Sequence, residues 1–133
     1  MIVWPITFTD YNGEEVTEKF YFNLNKAELV EMQFDAGGGY TAFINRITNE
    51  RDVKRLGEEF KKIILNSYGK KTDDGRVFRK TQEARDDFEQ SEAFAELYIE
   101  LLGDADKAAK FFRGILPKDV QASAEAATPR LAE

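Results

Sequence analysis

The first 24 residues of the chain alternate between apolar and polar positions in two separate runs. The apolar members occupy even positions: Ile2, Trp4, Ile6 and Phe8 in the first run, and Val16, Phe20, Phe22 and Leu24 in the second. A period of two residues is typical of strands with one buried face. The pattern therefore predicts a β-hairpin over residues 2–24, whose apolar face other elements must cover because an isolated hairpin is only marginally stable.

The loop between the two runs decides the register of this hairpin. A two-residue loop at Asn12 and Gly13 would place the two apolar sets on opposite faces. A three-residue loop, with Gly13 in the left-handed conformation of a β-bulge, instead pairs residues whose numbers sum to 24, such as Phe8 with Val16. We therefore predict the three-residue loop. Pro5 cannot donate to a ladder, so the first strand is expected at a sheet edge.

After residue 24 the apolar spacing changes to that of amphipathic helices. Asn25 and Glu28 have the spacing of a capping box, which predicts a helix over about 26–35. Gly37–Gly39 would stop this helix, because three consecutive glycines are unfavourable inside one. A short helix is predicted over 40–48, so the glycines would form a joint between two helices.

The second half of the sequence predicts further helices joined by a polar loop. The stripe from Val53 to Ile64 predicts a helix of about four turns that Gly69 ends. Tyr68–Lys80 is polar and contains an Asp-Asp-Gly turn signal at 73–75, which predicts a loop. Three more helices are predicted, from Thr81 to Phe88, from a cap at Ser91 to Gly103, and from a cap at Asp104 to Pro117.

These elements predict an α+β fold that is mainly α. The N-terminal β-hairpin (2–24) would pack on a bundle of about five helices (25–117), so that residues 1–117 form a single domain. Residues 118–133 include five alanines and no aromatic residue. We expect this segment to be a flexible, disordered C-terminal tail.

The composition removes most familiar site chemistries. The 133 residues include neither Cys nor His, so thiolate nucleophiles, imidazole bases and zinc sites of the usual type are excluded. The net charge of -6 argues against a nucleic-acid partner, and no apolar run is long enough to span a membrane. We predict no catalytic residue, no cofactor and no metal site, and nothing at the N-terminus resembles an export signal.

Charge is unevenly distributed along the second half of the chain. Residues 67–80 carry five basic and two acidic side chains, whereas residues 81–106 carry one basic and nine acidic side chains. Such segregation indicates either attraction within the fold or a polar surface for a partner. The glycine string at 37–42 matches a dinucleotide-binding pattern only formally, because no strand precedes it and no second βα unit follows.

Three segments of the chain together resemble the tail assembly chaperones of tailed bacteriophages of the siphophage type. They read FNLNKAELVEM at 22–32, ILNSYGKKTDDGRVF at 64–78 and FEQSEAFAEL at 88–97. The resemblance implies a non-enzymatic protein of the host bacterial cytoplasm, absent from the mature virion. It further implies that the protein binds and solubilises the tape measure protein and helps recruit tail tube protein, and a homo-oligomer is a further expected partner.

Two other functions stay open at the level of sequence. A structural component of the phage tail or head-to-tail connector would use the edge strand over residues 2–8 to join its neighbours. A carboxylate-dependent hydrolase would need a pair of acids, and no pair is distinguished by the pattern. The candidate interaction residues are Tyr68, Lys70, Lys71, Arg76, Phe78 and Arg79, and the candidate hinge residues are Gly37, Gly38 and Gly39.

Overall fold

The computed structural model describes residues 1–31 and 52–117. Within these ranges the chain forms four strands and five helices. The strands are β1 (Ile2–Thr9), β2 (Glu15–Phe22), β3 (Tyr68–Lys71) and β4 (Phe78–Arg79), and the helices are α1 (Lys26–Glu31), α2 (Val53–Ser67), α3 (Gln82–Glu89), α4 (Glu92–Gly103) and α5 (Ala105–Gly114). The predicted α+β class, with helices in the majority, is confirmed.

The N-terminal hairpin has the predicted register. Phe8 faces Val16 across the ladder, and the pairing continues to Ile2 opposite Phe22. The backbone N–H of Asp10 donates to Glu14 O at 2.8 Å, which leaves a three-residue loop, and Gly13 adopts a φ of 83°. The left-handed conformation of Gly13 allows the three-residue loop, and this loop length sets the register of the hairpin. The register in turn places the apolar side chains of both strands on one face.

Our prediction of a polar loop over Tyr68–Lys80 was wrong, because this segment contains a second hairpin. The helix α2 ends at Ser67 and the chain passes directly into β3, so Gly69 lies in a strand. Tyr68 pairs with Phe22 of β2, and Lys70 pairs with Arg79 of β4. All four strands form one antiparallel sheet in the order β1-β2-β3-β4. The predicted turn at residues 73–75 is present and connects β3 to β4.

The predicted helix caps are largely in place. The Asn25 N–H donates to Glu28 Oε1 at 2.9 Å, and the Glu28 N–H donates to Asn25 Oδ1 at 2.8 Å. Side-chain oxygens of the predicted caps Ser91 and Asp104 accept from the first turns of α4 and α5. Thr81, predicted as the first residue of its helix, is instead the N-cap of α3. These bonds satisfy N–H groups that have no partner inside a helix.

The core lies between one face of the sheet and the helices α2 to α5. Trp4 and Ile6 of β1 and Phe22 of β2 are buried in it together with Phe111 of α5. The rings of Trp4 and Phe111 meet edge to face with centroids 5.4 Å apart. The alternation of the hairpin is therefore explained by burial of its even-numbered side chains.

Several predictions fall outside the described residues. These are the Gly37–Gly39 joint, the C-terminal end of the first helix, the short helix over 40–48 and the flexible tail over 118–133. The assignment of residues 1–117 to a single domain stays a prediction.

Candidate protein-interaction site

The second hairpin presents four cations to solvent. We call residues 68–79 the basic hairpin. Lys70, Lys71, Arg76 and Arg79 are all exposed. Lys70 and Arg79 lie directly opposite each other in the ladder, so both side chains project from the same face. Like charges in such positions destabilise a hairpin, which makes this face suited to an acidic partner.

The turn of the basic hairpin is held by local hydrogen bonds. The hydroxyl of Thr72 donates to Asp74 Oδ1 at 2.6 Å, and the Arg76 N–H donates to the same oxygen at 3.0 Å. These bonds stabilise the carboxylate and lower the pKa of Asp74 below its usual range. Gly75 completes the turn with a φ of 74°. The tip therefore has a defined shape although its side chains are exposed.

The two aromatic candidates hold the hairpin to the rest of the protein. Tyr68 is buried, and its ring stacks on Phe88 of α3 with centroids 4.3 Å apart. Burial raises the pKa of Tyr68, with smaller contributions from Asp87 and Glu18. Phe78 is partly buried and lies against Gly69. The exposed contact residues among the six candidates are therefore the four cations.

Lys80 is a structural residue that the sequence reasoning missed. Its Nζ donates to the backbone oxygens of Asn23 and Asn66 at 2.6 and 2.9 Å, and to Glu28 Oε2 at 2.6 Å. Burial lowers the pKa of Lys80 by more than the neighbouring Glu28 raises it. The lysine fixes the end of β4 to β2, α1 and α2. Nothing in the sequence distinguishes it from the four exposed cations before it.

The exposed cations are not neutralised by the acidic helices. Among the described residues, the ion pairs are Lys61–Glu89 at 2.8 Å, Lys80–Glu28 at 2.6 Å and Lys107–Glu100 at 3.8 Å. None of them joins the four exposed cations of the basic hairpin to the acids of α3 or α4. As far as the described residues are concerned, these cations are therefore available to a partner.

Residues 1–31 and 52–117 contain no cluster of three or more acidic side chains arranged to hold a metal ion. None of the five described helices combines the length and the apolar character needed to cross a bilayer.

The chain matches a known protein family. The family model for phage tail assembly chaperones matches residues 1–133. No curated protein and no solved structure matches the chain. A chaperone of this kind has protein partners in tail assembly and acts in the host cell while the phage is assembled. Because the match covers the whole sequence, this chain belongs to the phage tail assembly chaperone family.

Proposed function

We propose that this chaperone binds the tape measure protein of its phage, keeps it soluble and helps recruit tail tube protein around it. The observation that carries the proposal is the family match over residues 1–133, which supports a chaperone role in tail assembly. We further propose that the protein is non-enzymatic and acts as a binding surface alone.

The basic hairpin is the surface proposed for this contact. Its support is the set of four exposed cations, which no described acidic side chain neutralises. The buried ring of Tyr68 and the bonds around Asp74 stabilise the backbone that carries these cations. A preorganised cationic surface binds an acidic segment of a client with less loss of conformational entropy than a flexible loop would.

Co-expression with the tape measure protein tests the proposal. We expect the wild-type chaperone to raise the soluble fraction of the client in a cleared lysate. The double substitution Lys70→Glu with Arg79→Glu is expected to abolish most of this effect. The matched control is Lys54→Glu with Lys62→Glu, which makes the same charge change at two exposed positions of α2.

The outcomes distinguish a failure of the proposed function from a failure of the proposed contact surface. A client that precipitates equally with and without the wild-type protein contradicts the proposed function. A client that both double variants keep soluble contradicts only the role of the basic hairpin. For the predicted joint at Gly37–Gly39, Gly37→Pro is expected to weaken the soluble complex, because proline restricts the backbone.

A structural role in the tail or head-to-tail connector is the second candidate, favoured by the position of β1 at the edge of the sheet. We propose instead that the protein stays in the host bacterial cytoplasm and is absent from the mature virion. Quantitative mass spectrometry of purified virions distinguishes the two, since a structural component would be present in stoichiometric amounts. Light scattering coupled to size exclusion tests the proposed homo-oligomer.

A further inference from the structure

Within residues 1–31 and 52–117, the outer edge of strand β1 has no pairing partner. This strand is the first strand of the sheet, and no other described strand pairs with its outer side. The bond from Asp10 N–H to Glu14 O fixes which residues face β2, because ladder bonds alternate along an antiparallel pair. Even-numbered residues bond to β2, so the backbone groups of Val3, Pro5 and Thr7 point outward. Pro5 stands at one of these outward positions, where its missing N–H removes no bond to β2.

A groove runs between this edge and the helices α4 and α5. It consists of two adjoining hollows of about 300 and about 330 Å3, which share Pro5 and Glu100 in their linings. The side chain of Ile99 on α4 lines the first hollow and is 67% exposed. Val3 lines the second and is 44% exposed. Apolar side chains are thus left uncovered where a further strand would lie.

The helix side of the groove carries acidic side chains. Glu100 accepts a hydrogen bond from Trp4 Nε1 at 2.9 Å and lies 3.8 Å from Lys107, so it is held in place. Glu96 lies one turn earlier, is exposed, and its carboxylate has no bonding partner among the described residues. Among the described residues that line the two hollows, the one cation is Lys110, which lines the second hollow together with Ile2.

We propose that an extended segment of a partner protein, with an apolar and a basic residue two positions apart on the face toward α4, adds to β1 as a fifth strand. Its backbone would bond to the outward groups of Val3 and Thr7, as in other cases of strand addition to a sheet edge. Its apolar side chains would cover Ile99, and a basic side chain would lie over Glu96. For its biological partner this inference rests on the proposed function, but the site itself is defined by the geometry of the groove.

A second copy of this chain fits the groove less well. The even-numbered side chains of its own β1 are buried or partly buried in its core and cannot cover Ile99. The segment Ile2–Thr9 contains no Lys or Arg to lie over Glu96. Antiparallel pairing of two β1 edges would also place both α4 helices on the same side of the joined sheet, where their carboxylates repel. The charge of the groove therefore favours a basic segment from another protein.

Binding of synthetic peptides to the full-length chain tests this inference. The probe, called the Val-Lys peptide, is fluorescein-labelled Thr-Val-Thr-Lys-Thr-Val-Thr-Lys, in which the Val and Lys side chains share one face of the strand. The comparison peptide has Glu in place of Lys. We expect anisotropy to show binding of the Val-Lys peptide only. A Val-Lys peptide methylated on its edge-facing backbone nitrogens is expected to bind at least about tenfold more weakly, because it cannot donate to β1.

Two substitutions at Thr7 give a matched pair of variants. Thr7→Pro removes the outward N–H and places a ring at the edge, without removing a bond to β2. Thr7→Val keeps the N–H and loses only the contact between the hydroxyls of Thr7 and Thr17. We expect Thr7→Pro to lower the affinity for the Val-Lys peptide by about tenfold or more, and Thr7→Val to lower it by less than about twofold. Glu96→Lys is expected to reverse the preference between the two charged peptides.

The results decide between edge addition and its alternatives. Equal affinity of the methylated and unmethylated peptides overturns the inference even if Thr7→Pro fails to fold. Absence of peptide binding also overturns it, as does a wild-type dimer that Thr7→Pro converts to a monomer, because a second copy would then occupy the edge. The outcome of these peptide-binding experiments is independent of the co-expression experiment, which reports on the tape measure protein and the basic hairpin.

Discussion

The two hairpins of this protein contrast in length, burial and source of stability. The strands β1 and β2 have eight residues each, and their inner face contributes Trp4, Ile6 and Phe22 to the core. The strands β3 and β4 have four and two residues, and only the root of this hairpin is fully buried. The first hairpin is specified by its own alternation, whereas the second depends on what its root contacts. A hairpin anchored in this way can carry exposed cations at little cost to the core.

The largest effect is expected at the junction of the two hairpins. Phe22 pairs with Tyr68, is fully buried, and meets the ring of Phe111 with centroids 5.0 Å apart. Phe22→Ala should therefore lower the free energy of unfolding by about 3 to 5 kcal/mol, measured by urea denaturation. The control is Val77→Ala in the basic hairpin, where an exposed side chain should contribute less than about 0.5 kcal/mol. Similar losses for the two variants would remove the contrast between the hairpins.

The next largest effect concerns the lysine at the base of the second hairpin. Lys80→Met leaves two backbone oxygens and Glu28 without their donor, so we expect a loss of about 2 kcal/mol in the free energy of unfolding. Lys61→Met is the matched control, because the Lys61–Glu89 pair is exposed and should contribute less than about 1 kcal/mol. If the two substitutions cost the same, Lys80 does not anchor the hairpin.

The same contrast explains what the sequence could predict. The register of β1 and β2 follows from the parity of the apolar positions and from Gly13, all within a short segment. Helix caps such as Ser91 are equally local signals. The strand β3 has no such signal, because its anchor Phe88 is distant in sequence and four residues are too few to show alternation. Tertiary contacts therefore override the turn-rich composition of that segment.

A smaller effect on stability is expected at Gly69, where the two strands of the basic hairpin lie close together. A methyl group at Gly69 would lie 2.7 Å from Cε2 of Phe78 and 2.9 Å from the carbonyl oxygen of Arg79. The second atom belongs to the backbone and cannot rotate away, so Gly69→Ala should destabilise the protein by about 1 to 2 kcal/mol in thermal or urea unfolding. Gly103→Ala is the control, because nothing lies within 4 Å of its added methyl group. If Gly69→Ala leaves the free energy of unfolding unchanged, β3 is free to shift.

The smallest effect is confined to alkaline pH and tests how well Tyr68 is buried. Burial raises its pKa in the folded state above the ordinary value of 10.0, so the folded protein retains this proton longer than the unfolded chain does. The resulting stability is fully present below about pH 10 and is lost as pH rises through the folded pKa. Tyr68→Phe should therefore match the wild type closely at pH 7 and lose less stability at higher pH. Measuring both proteins by urea unfolding at each pH cancels the contributions of Lys80 and Tyr11, which also titrate in this range. Parallel curves above pH 10 would show that solvent reaches the phenol, and the basic hairpin would then lack the anchored root that distinguishes it from a loop.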